Sequence, residues 1–103
     1  MLLNRKDCEI ISLDSLVPSV GIGTALVEAV KETARAHNCK RIWLTTTNDN
    51  LNALRFYQKR GFILVTIHRD AVNIARKYKP IPLTGADGIP IRDEIELELM
   101  IED

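Results

Sequence analysis

Cysteine, surplus charge and long apolar runs are all scarce in this chain of 103 residues. The two cysteines, Cys8 and Cys39, are too few for the disulfide framework of a small secreted domain. His37 and Cys39 form one isolated H-x-C pair, whereas a zinc site usually draws on four spaced ligands, so we predict no metal site. We expect both cysteines to be small buried thiols in a reduced compartment.

The balance of charge and the absence of apolar runs exclude two classes of partner. Lys plus Arg and Asp plus Glu number 14 each, so the formal net charge is zero. A general nucleic-acid binder needs a basic surplus to displace counterions, although a small local anion site stays open. No apolar run approaches the ~20 residues that span a bilayer, and the first residues, MLLNRKD, lack the apolar core of a secretory signal. We predict a cytoplasmic protein with neither nucleic acid nor membrane as its partner.

Hydrophobic periodicity predicts a single α/β domain over residues 1–103, with the element order β-α-β-α-β-α-β. The predicted strands are Cys8–Leu13, Arg41–Thr46, Phe62–His68 and Ile91–Ile101, and the predicted helices are Ile22–His37, Leu51–Arg60 and Asp70–Tyr78. Asn38 and Gly61 suit the left-handed turns that end helices. Pro80–Pro90 is predicted to be a loop because it holds three prolines and two glycines. In the last strand apolar residues alternate with Arg and Glu, which predicts an antiparallel strand with one face in water.

Two of the five glycines, Gly21 and Gly23, precede and open the first long helix. A helix start presents unpaired N–H groups and partial positive charge, so this loop suits a phosphate or pyrophosphate. The alternative is that the glycines only make a tight turn. A dinucleotide-binding fingerprint is excluded, because it requires a small residue where Leu26 stands and an acidic residue where Arg41 and its neighbours stand. A P-loop is excluded because Gly-Lys-Ser/Thr is absent.

The stretch NDNLNALRFYQKRGF, from Asn48 to Phe62, resembles the N-x-x-A-x-x-[LF]-Y-x-[KR]-x-G-F signature of the GNAT superfamily of N-acetyltransferases. The matching residues are Asn50, Ala53, Phe56, Tyr57, Lys59, Gly61 and Phe62. GIGTALVEAV resembles the loop with which that superfamily binds the coenzyme A pyrophosphate. There are two departures: Pro18 stands where the loop has Gln or Arg, and Val20 stands at an often polar position.

The resemblance implies a partial GNAT-like fold, namely a mixed sheet of about four strands with three helices. The chain corresponds to the later part of that domain, without an N-terminal block of strands and helices. The implied activity is acetyl-CoA-dependent transfer of an acetyl group to a primary amine of a small molecule or peptide. The implied coenzyme-binding residues are Leu13, Asp14, Ser15, Val20, Gly21, Ile22, Gly23, Thr24, Asn50, Ala53, Tyr57 and Lys59.

Three of these residues have a second reading. Tyr57 is the implied catalytic residue, a general acid, because a phenol with a pKa near ~10 stays protonated at neutral pH; alternatively it is a core aromatic. Asn50 is implied to bond the pantetheine arm, and it also suits a helix N-cap. Lys59 is implied to meet coenzyme phosphates, yet a cation near a helix end also complements the helix dipole.

A rival function is a non-catalytic module that binds coenzyme A or only self-associates, which Pro18 and the missing block favour. In the resemblance the first strand is central in the sheet. Here it is expected to be an apolar edge without Pro or Lys, which favours association with another edge. We therefore predict a homodimer through this exposed first strand.

Overall fold

The structure is a computed structural model that describes residues 2–3, 7–10 and 22–101, with backbone only at residues 2–3, 7–10, 22–24, 26 and 86. Its elements are β1 (Leu2–Leu3), β2 (Asp7–Ile10), α1 (Ile22–Ala36), β3 (Arg41–Thr47), α2 (Leu51–Lys59), β4 (Ile63–His68), α3 (Ala71–Ala75) and β5 (Glu94–Met100). The strands form one mixed sheet in the order β1-β2-β3-β5-β4. Among the pairs of neighbouring strands that the structure describes, β2–β3 is the only parallel one.

The sheet has one strand more than the sequence predicts. Leu2 pairs with Glu9 and Leu3 pairs with Cys8, so β1 lies antiparallel beside β2. The expectation that the first predicted strand is an exposed edge is therefore wrong, because backbone groups of β2 already have a partner on that side. Two residues are too short a strand for hydrophobic periodicity to reveal. The part of the prediction that covers Ile11–Leu13 lies outside the described residues.

Both long helices pack on one face of the sheet. On β3, Ile42, Leu44 and Thr46 are buried while the intervening residues are half-buried, which is the alternation of a strand covered on one face. Leu44 lies opposite Leu97 of β5, which is fully buried. The core that these strands and helices share contains Val27, Ala34, Cys39, Ile42, Leu44, Ala53, Phe56, Tyr57, Phe62, Leu97 and Ile101.

Local signals set the ends of α1 and α2 where the sequence predicts them. Asn38 adopts a left-handed conformation with φ 60°, and the N–H of Cys39 donates to the carbonyl of Ala34 at 2.8 Å. Gly61 also has a positive φ, 97°, directly after α2. Both turns return the chain to the sheet, and Cys39 enters the core as the expected buried thiol.

The third helix and the last strand are shorter than predicted, because tertiary contacts hold the residues at their ends. Asp70 has a left-handed φ of 61° and no side-chain capping bond. Its N–H donates to the Asp93 carboxylate at 2.8 Å, and its Oδ1 accepts from Arg92 at 2.7 Å. Residues 91–93 lie outside β5, because the N–H of Ile91 donates to the Leu83 carbonyl and those of Arg92 and Asp93 donate to Asn48. Within the described ranges, no helix combines the length and the apolar character that a membrane crossing requires.

Candidate active site

The starts of α1 and α2 lie at the same end of the sheet. A four-residue connection joins the end of α1 to the start of β3, so α1 runs antiparallel to β3. Its 15 residues span roughly 22 Å and the seven residues of β3 span roughly 23 Å. The start of α1 therefore lies beside the carboxyl end of β3, from which α2 follows after three residues. In open α/β sheets, ligands bind beyond the carboxyl ends of the strands.

The start of α1 supplies the first group of predicted coenzyme-binding residues. The helix begins at Ile22, so the backbone N–H groups of Ile22, Gly23 and Thr24 belong to its first turn. These N–H groups have no acceptor within the helix, and the first turn has no acidic side chain. The first turn is therefore electrostatically suited to an anion. The other predicted residues of this region, Leu13, Asp14, Ser15, Val20 and Gly21, lie outside the described residues, as does Pro18.

Asn50 is the N-cap of α2. Its Oδ1 accepts a hydrogen bond from the backbone N–H of Ala53 at 3.1 Å. This bond satisfies one of the orphan donors of the helix start. The N-cap reading of Asn50 is thus observed, and the side chain stands at the sheet end where α1 begins. Ala53, one turn further along, is fully buried.

Tyr57 is fully buried on the same inner stripe of α2 as Ala53. Its ring lies edge-on to two others, with centroids 5.2 Å from Phe56 and 5.3 Å from Phe62. Edge-to-face pairs of this kind add about 0.5–1.5 kcal/mol beyond the burial of area. Tyr57 is therefore a core aromatic residue in the structure, as the alternative interpretation predicts. Because α2 packs on the same face of the sheet as α1, Tyr57 lies on the face that also carries the starts of both helices.

Basic residues at the end of α2 differ in their surroundings. Lys59 is exposed in the last turn of the helix. The guanidinium of Arg60 lies over the Phe56 ring, 3.7 Å from its centroid, and donates to the Phe56 carbonyl at 3.0 Å. Arg60 thus closes the C-terminal end of α2, where a cation complements the helix dipole. Lys59 stands at the end of α2 opposite Asn50, nine residues along the helix.

Thr46, a buried residue near the carboxyl end of β3, was not expected from the sequence. Its Oγ1 has no hydrogen-bond partner in the described part of the chain. Thr46 lies on the helix-covered face, because it is an even number of residues along the strand from both Ile42 and Leu44. A buried hydroxyl without a partner is costly, so this atom is available to a polar group outside the described residues. A threonine within a strand carries no signal of this, since strands favour threonine anyway.

The opposite face of the sheet carries a charged network. Arg41 donates from Nε to Glu98 at 2.5 Å and from Nη2 to Glu96 at 2.6 Å, and its guanidinium lies over Trp43. His68 Nε2 lies 3.0 Å from the other oxygen of Glu96. Burial, the largest single influence, acts to raise the pKa of Glu96, but the hydrogen bonds with His68 and Arg41 together outweigh it and lower that pKa. This face is therefore half-buried under its own ion pairs, rather than open to water as predicted.

Residues 80–90, between α3 and β5, are attached to the corner between β3 and α2. Asn48 donates from Nδ2 to the Pro90 carbonyl at 2.8 Å. Asp49 is buried against Gly85, where an added Cβ would lie 1.9 Å from its Oδ2. Arg76 holds the other side of this loop by donating to the carbonyls of Ile81, Pro82 and Ile91. The sequence motif contains Asn48 and Asp49, but nothing local indicates which distant segment they contact.

Comparison with known proteins agrees with this geometry. Residues 19–62 match the model of the acetyltransferase (GNAT) family. YdhI of Bacillus subtilis, an uncharacterised protein, is 52% identical over 101 residues; the alignment covers 97% of this chain and 63% of YdhI. The chain therefore spans less than two thirds of the length of that relative.

Solved structures share the fold. A GNAT family acetyltransferase from Elizabethkingia anophelis, determined with acetyl-CoA bound, superposes with a TM-score of 0.78 at 24% identity, over 97% of this chain and 64% of that one. A Bacillus subtilis acetyltransferase in complex with CoA gives a TM-score of 0.69 at 30% identity, over 82% and 53%. The resemblance and the partial GNAT-like fold predicted from the sequence are confirmed: residues 19–62 match the family model, and the chain shares the fold of these acetyltransferases.

Proposed function

We propose that this chain serves acetyl-CoA-dependent transfer of an acetyl group to a primary amine of a small molecule or peptide. One observation carries the proposal: the first turn of α1 and the Asn50 end of α2 lie at one end of the sheet and on one face. The two relatives with coenzyme bound support the choice of acetyl-CoA. We further propose that residues 1–103 act as one unit in the cytoplasm, where this coenzyme is available.

The groups described at this end of the sheet fit such a coenzyme. The N–H groups of Ile22, Gly23 and Thr24 are donors for a diphosphate, and glycine at position 23 lets an anion approach the backbone closely. Asn50 uses Oδ1 for its cap, which leaves its Nδ2 as a donor for an amide carbonyl. Buried Thr46 Oγ1 lacks a partner among the described residues, and a polar ligand would supply one.

Each remaining predicted residue has a role in this proposal. Acetyl-CoA, when bound, supplies a thioester that an amine can attack. Tyr57 holds a proton on Oη for a departing thiolate, and the aromatic packing around its ring fixes the direction of that hydroxyl. Leu13, Asp14 and Ser15 are proposed to line the pantetheine arm, Val20 and Gly21 to extend the diphosphate loop, and Ala53 to leave room beside the arm. Lys59 stands at the other end of α2 from the diphosphate donors, and its predicted contact with coenzyme phosphates stays a proposal.

The experiment is calorimetric titration of the 103-residue chain with coenzyme A, followed by a thiol-release assay over a panel of primary amines. We expect saturable binding and turnover with at least one amine. Binding without any turnover would favour the rival function, a non-catalytic coenzyme-binding module. Absence of binding would overturn both the proposed transferase and the coenzyme-binding module.

The two tyrosines provide a matched pair of variants for the proposed general acid. Tyr57→Phe keeps the ring and removes the hydroxyl, so we expect turnover to fall about 100-fold or more while coenzyme binding persists. Tyr78→Phe makes the same chemical change on an exposed side chain and should leave turnover unchanged. Equal turnover in the two variants would remove Tyr57 from the catalytic role.

A further inference from the structure

The strand β4 forms an open edge of the sheet. In the strand order, β4 has β5 on one side, and no described strand lies on the other. All six of its residues are exposed. The apolar members are unusually so: Ile63 is 60% exposed, Leu64 53%, Val65 44% and Ile67 63%. A strand of this length presents roughly 20 Å of unpaired backbone N–H and C=O groups beside these side chains.

The sequence of β4, ILVTIH, contains none of the residues that usually protect an edge strand. Proteins block such edges with proline, lysine, inward-pointing charges or a bulge, and of these β4 has only a bulge. The strand does have a register shift between Leu64 and Thr66, where Val65 is an extra residue opposite β5. This bulge places Leu64 and Ile67 on the same face of the sheet, because they lie opposite Leu97 and Ile95. The edge is therefore apolar on the helix-covered face along most of its length.

We propose that β4 pairs antiparallel with β4 of a second copy of this chain, about a two-fold axis between Val65 and Thr66. In this register Leu64 lies opposite the partner's Ile67, and Ile63 lies opposite the partner's His68. Both pairs match in face, since Leu64 and Ile67 share one face whereas Ile63 and His68 share the other. A shift of one residue in either direction would set residues of opposite faces against each other.

Self-complementarity is the reason for choosing a second copy as the occupant. A two-fold interface brings the same patch of both chains together, so Leu64 and Ile67 of one strand meet Ile67 and Leu64 of the other. The bulge makes β4 self-complementary at its centre, because it puts Leu64 and Ile67 on one face. The strand carries no charged Lys, Arg, Asp or Glu that would repel its own copy or attract a partner of opposite charge.

The adjacent surface has room for the partner's side chains. An open groove of about 490 Å³ runs beside the strand, lined by Leu64, Val65, Thr66, Ile67 and Ile95. In the proposed register, the partner's Leu64 and Ile67 both project on this side. Six residues are fewer than the roughly 20–30 that each partner of a standard stable interface contributes, so we expect a weak and reversible dimer.

The first experiment is sedimentation equilibrium of the 103-residue chain from about 5 to about 500 µM, a range that brackets the affinity expected of a small interface. We expect a reversible monomer–dimer equilibrium. Val65→Lys should raise the dissociation constant at least about tenfold, because a charge at an edge opposes strand pairing. Val65 is chosen because the bulge leaves it out of the β4–β5 ladder, so the monomer should keep its circular dichroism spectrum and melting temperature.

Tyr78→Lys is the matched control, since it also replaces an apolar exposed residue, 84% exposed, but lies outside the strands. It should leave the dissociation constant unchanged. A wild-type chain that stays monomeric at the highest concentration overturns the proposal. A dimer that Val65→Lys leaves intact overturns it as well, because another surface, such as the edge at β1, then holds the copies together.

The register is tested separately with Leu64→Cys and Ile67→Cys, oxidised alone and mixed, with cross-links identified by mass spectrometry of peptides. We expect the mixed sample to yield mainly the 64–67 link, and each variant alone to yield little. Predominant 64–64 or 67–67 links would overturn this two-fold register. None of these measurements depends on coenzyme binding, so they stand or fall apart from the proposed activity.

Discussion

The side chain of Asn48 accepts a hydrogen bond at Oδ1 from the backbone N–H of Arg92, at 3.0 Å. The same oxygen accepts the N–H of Asp93 at 3.0 Å, and the backbone N–H of Asn48 donates to the Asp93 carbonyl at 3.0 Å. One residue at the end of β3 thus fixes the backbone that leads into β5. It also fixes the loop before it, through the bond from Nδ2 to Pro90.

Asn48→Ala should destabilise the protein by about 1–3 kcal/mol, because partly buried backbone N–H groups lose their acceptor. The measurement is the free energy of unfolding in urea, followed by circular dichroism. Asn52→Ala is the matched control, since Asn52 is exposed on α2, and we expect a change within about 0.5 kcal/mol. A loss no larger for Asn48 than for Asn52 would show that the loop does not depend on this contact.

Gly85→Ala should destabilise the loop by overpacking. The added methyl group would lie 1.9 Å from Oδ2 of Asp49 and 3.0 Å from Cδ1 of Ile91, and both of those residues are buried. Overpacking of this kind costs about 1–3 kcal/mol. Gly88→Ala in the same loop meets no atom within 4 Å, so its cost arises only from its positive φ of 73°. Thermal melts of the two variants compare the effects, and a larger loss for Gly88→Ala would contradict this account.

Acid should destabilise the protein partly through Glu96. The pKa of Glu96 is lower in the folded chain, so the folded state binds fewer protons than the unfolded state does. The resulting stabilisation is complete above the unfolded-state pKa of about 4.3, and it is lost as the pH falls through the folded-state pKa. We expect the urea midpoint to fall between about pH 6 and about pH 3.

The variant Glu96→Gln cannot titrate, so its acid-induced loss should be smaller than that of the wild type. Glu32→Gln is the control, because Glu32 pairs with Arg35 on α1 at 3.5 Å and its side chain is 79% exposed. This variant should keep the wild-type acid dependence. Identical acid profiles for all three proteins would mean that Glu96 contributes nothing to it.

Local signals explain why much of the fold was predictable from the sequence. The ends of α1 and α2 follow from Asn38, Asn50 and Gly61, each of which acts on backbone within a few residues of itself. The alternation in β5 placed Leu97 in the core correctly. By contrast, the start of α3 depends on Asp93, 23 residues away, and no local pattern indicates that contact.

The candidate site was predictable only as far as its motif reaches. Asn50 and Tyr57 lie where a pattern of fixed spacing puts them, at the start and on the inner stripe of α2. The unpaired hydroxyl of Thr46 depends on what surrounds β3 in three dimensions, so the sequence gives no sign of it. The same holds for the charged face, where Arg41 reaches Glu98 only because β3 and β5 are neighbours.

The place of β5 between β3 and β4 has a consequence for how the chain acquires its structure. The two earlier strands share no ladder with each other, so the segment that joins them in space leaves the ribosome after both of them. Closing the sheet means bringing Glu94 back to Thr47 across two intervening helices, a strand and a loop, and the entropy of that long closure slows this step. During synthesis, nascent β3 and β4 therefore wait with open edges, and the protein is most prone to aggregation at that stage.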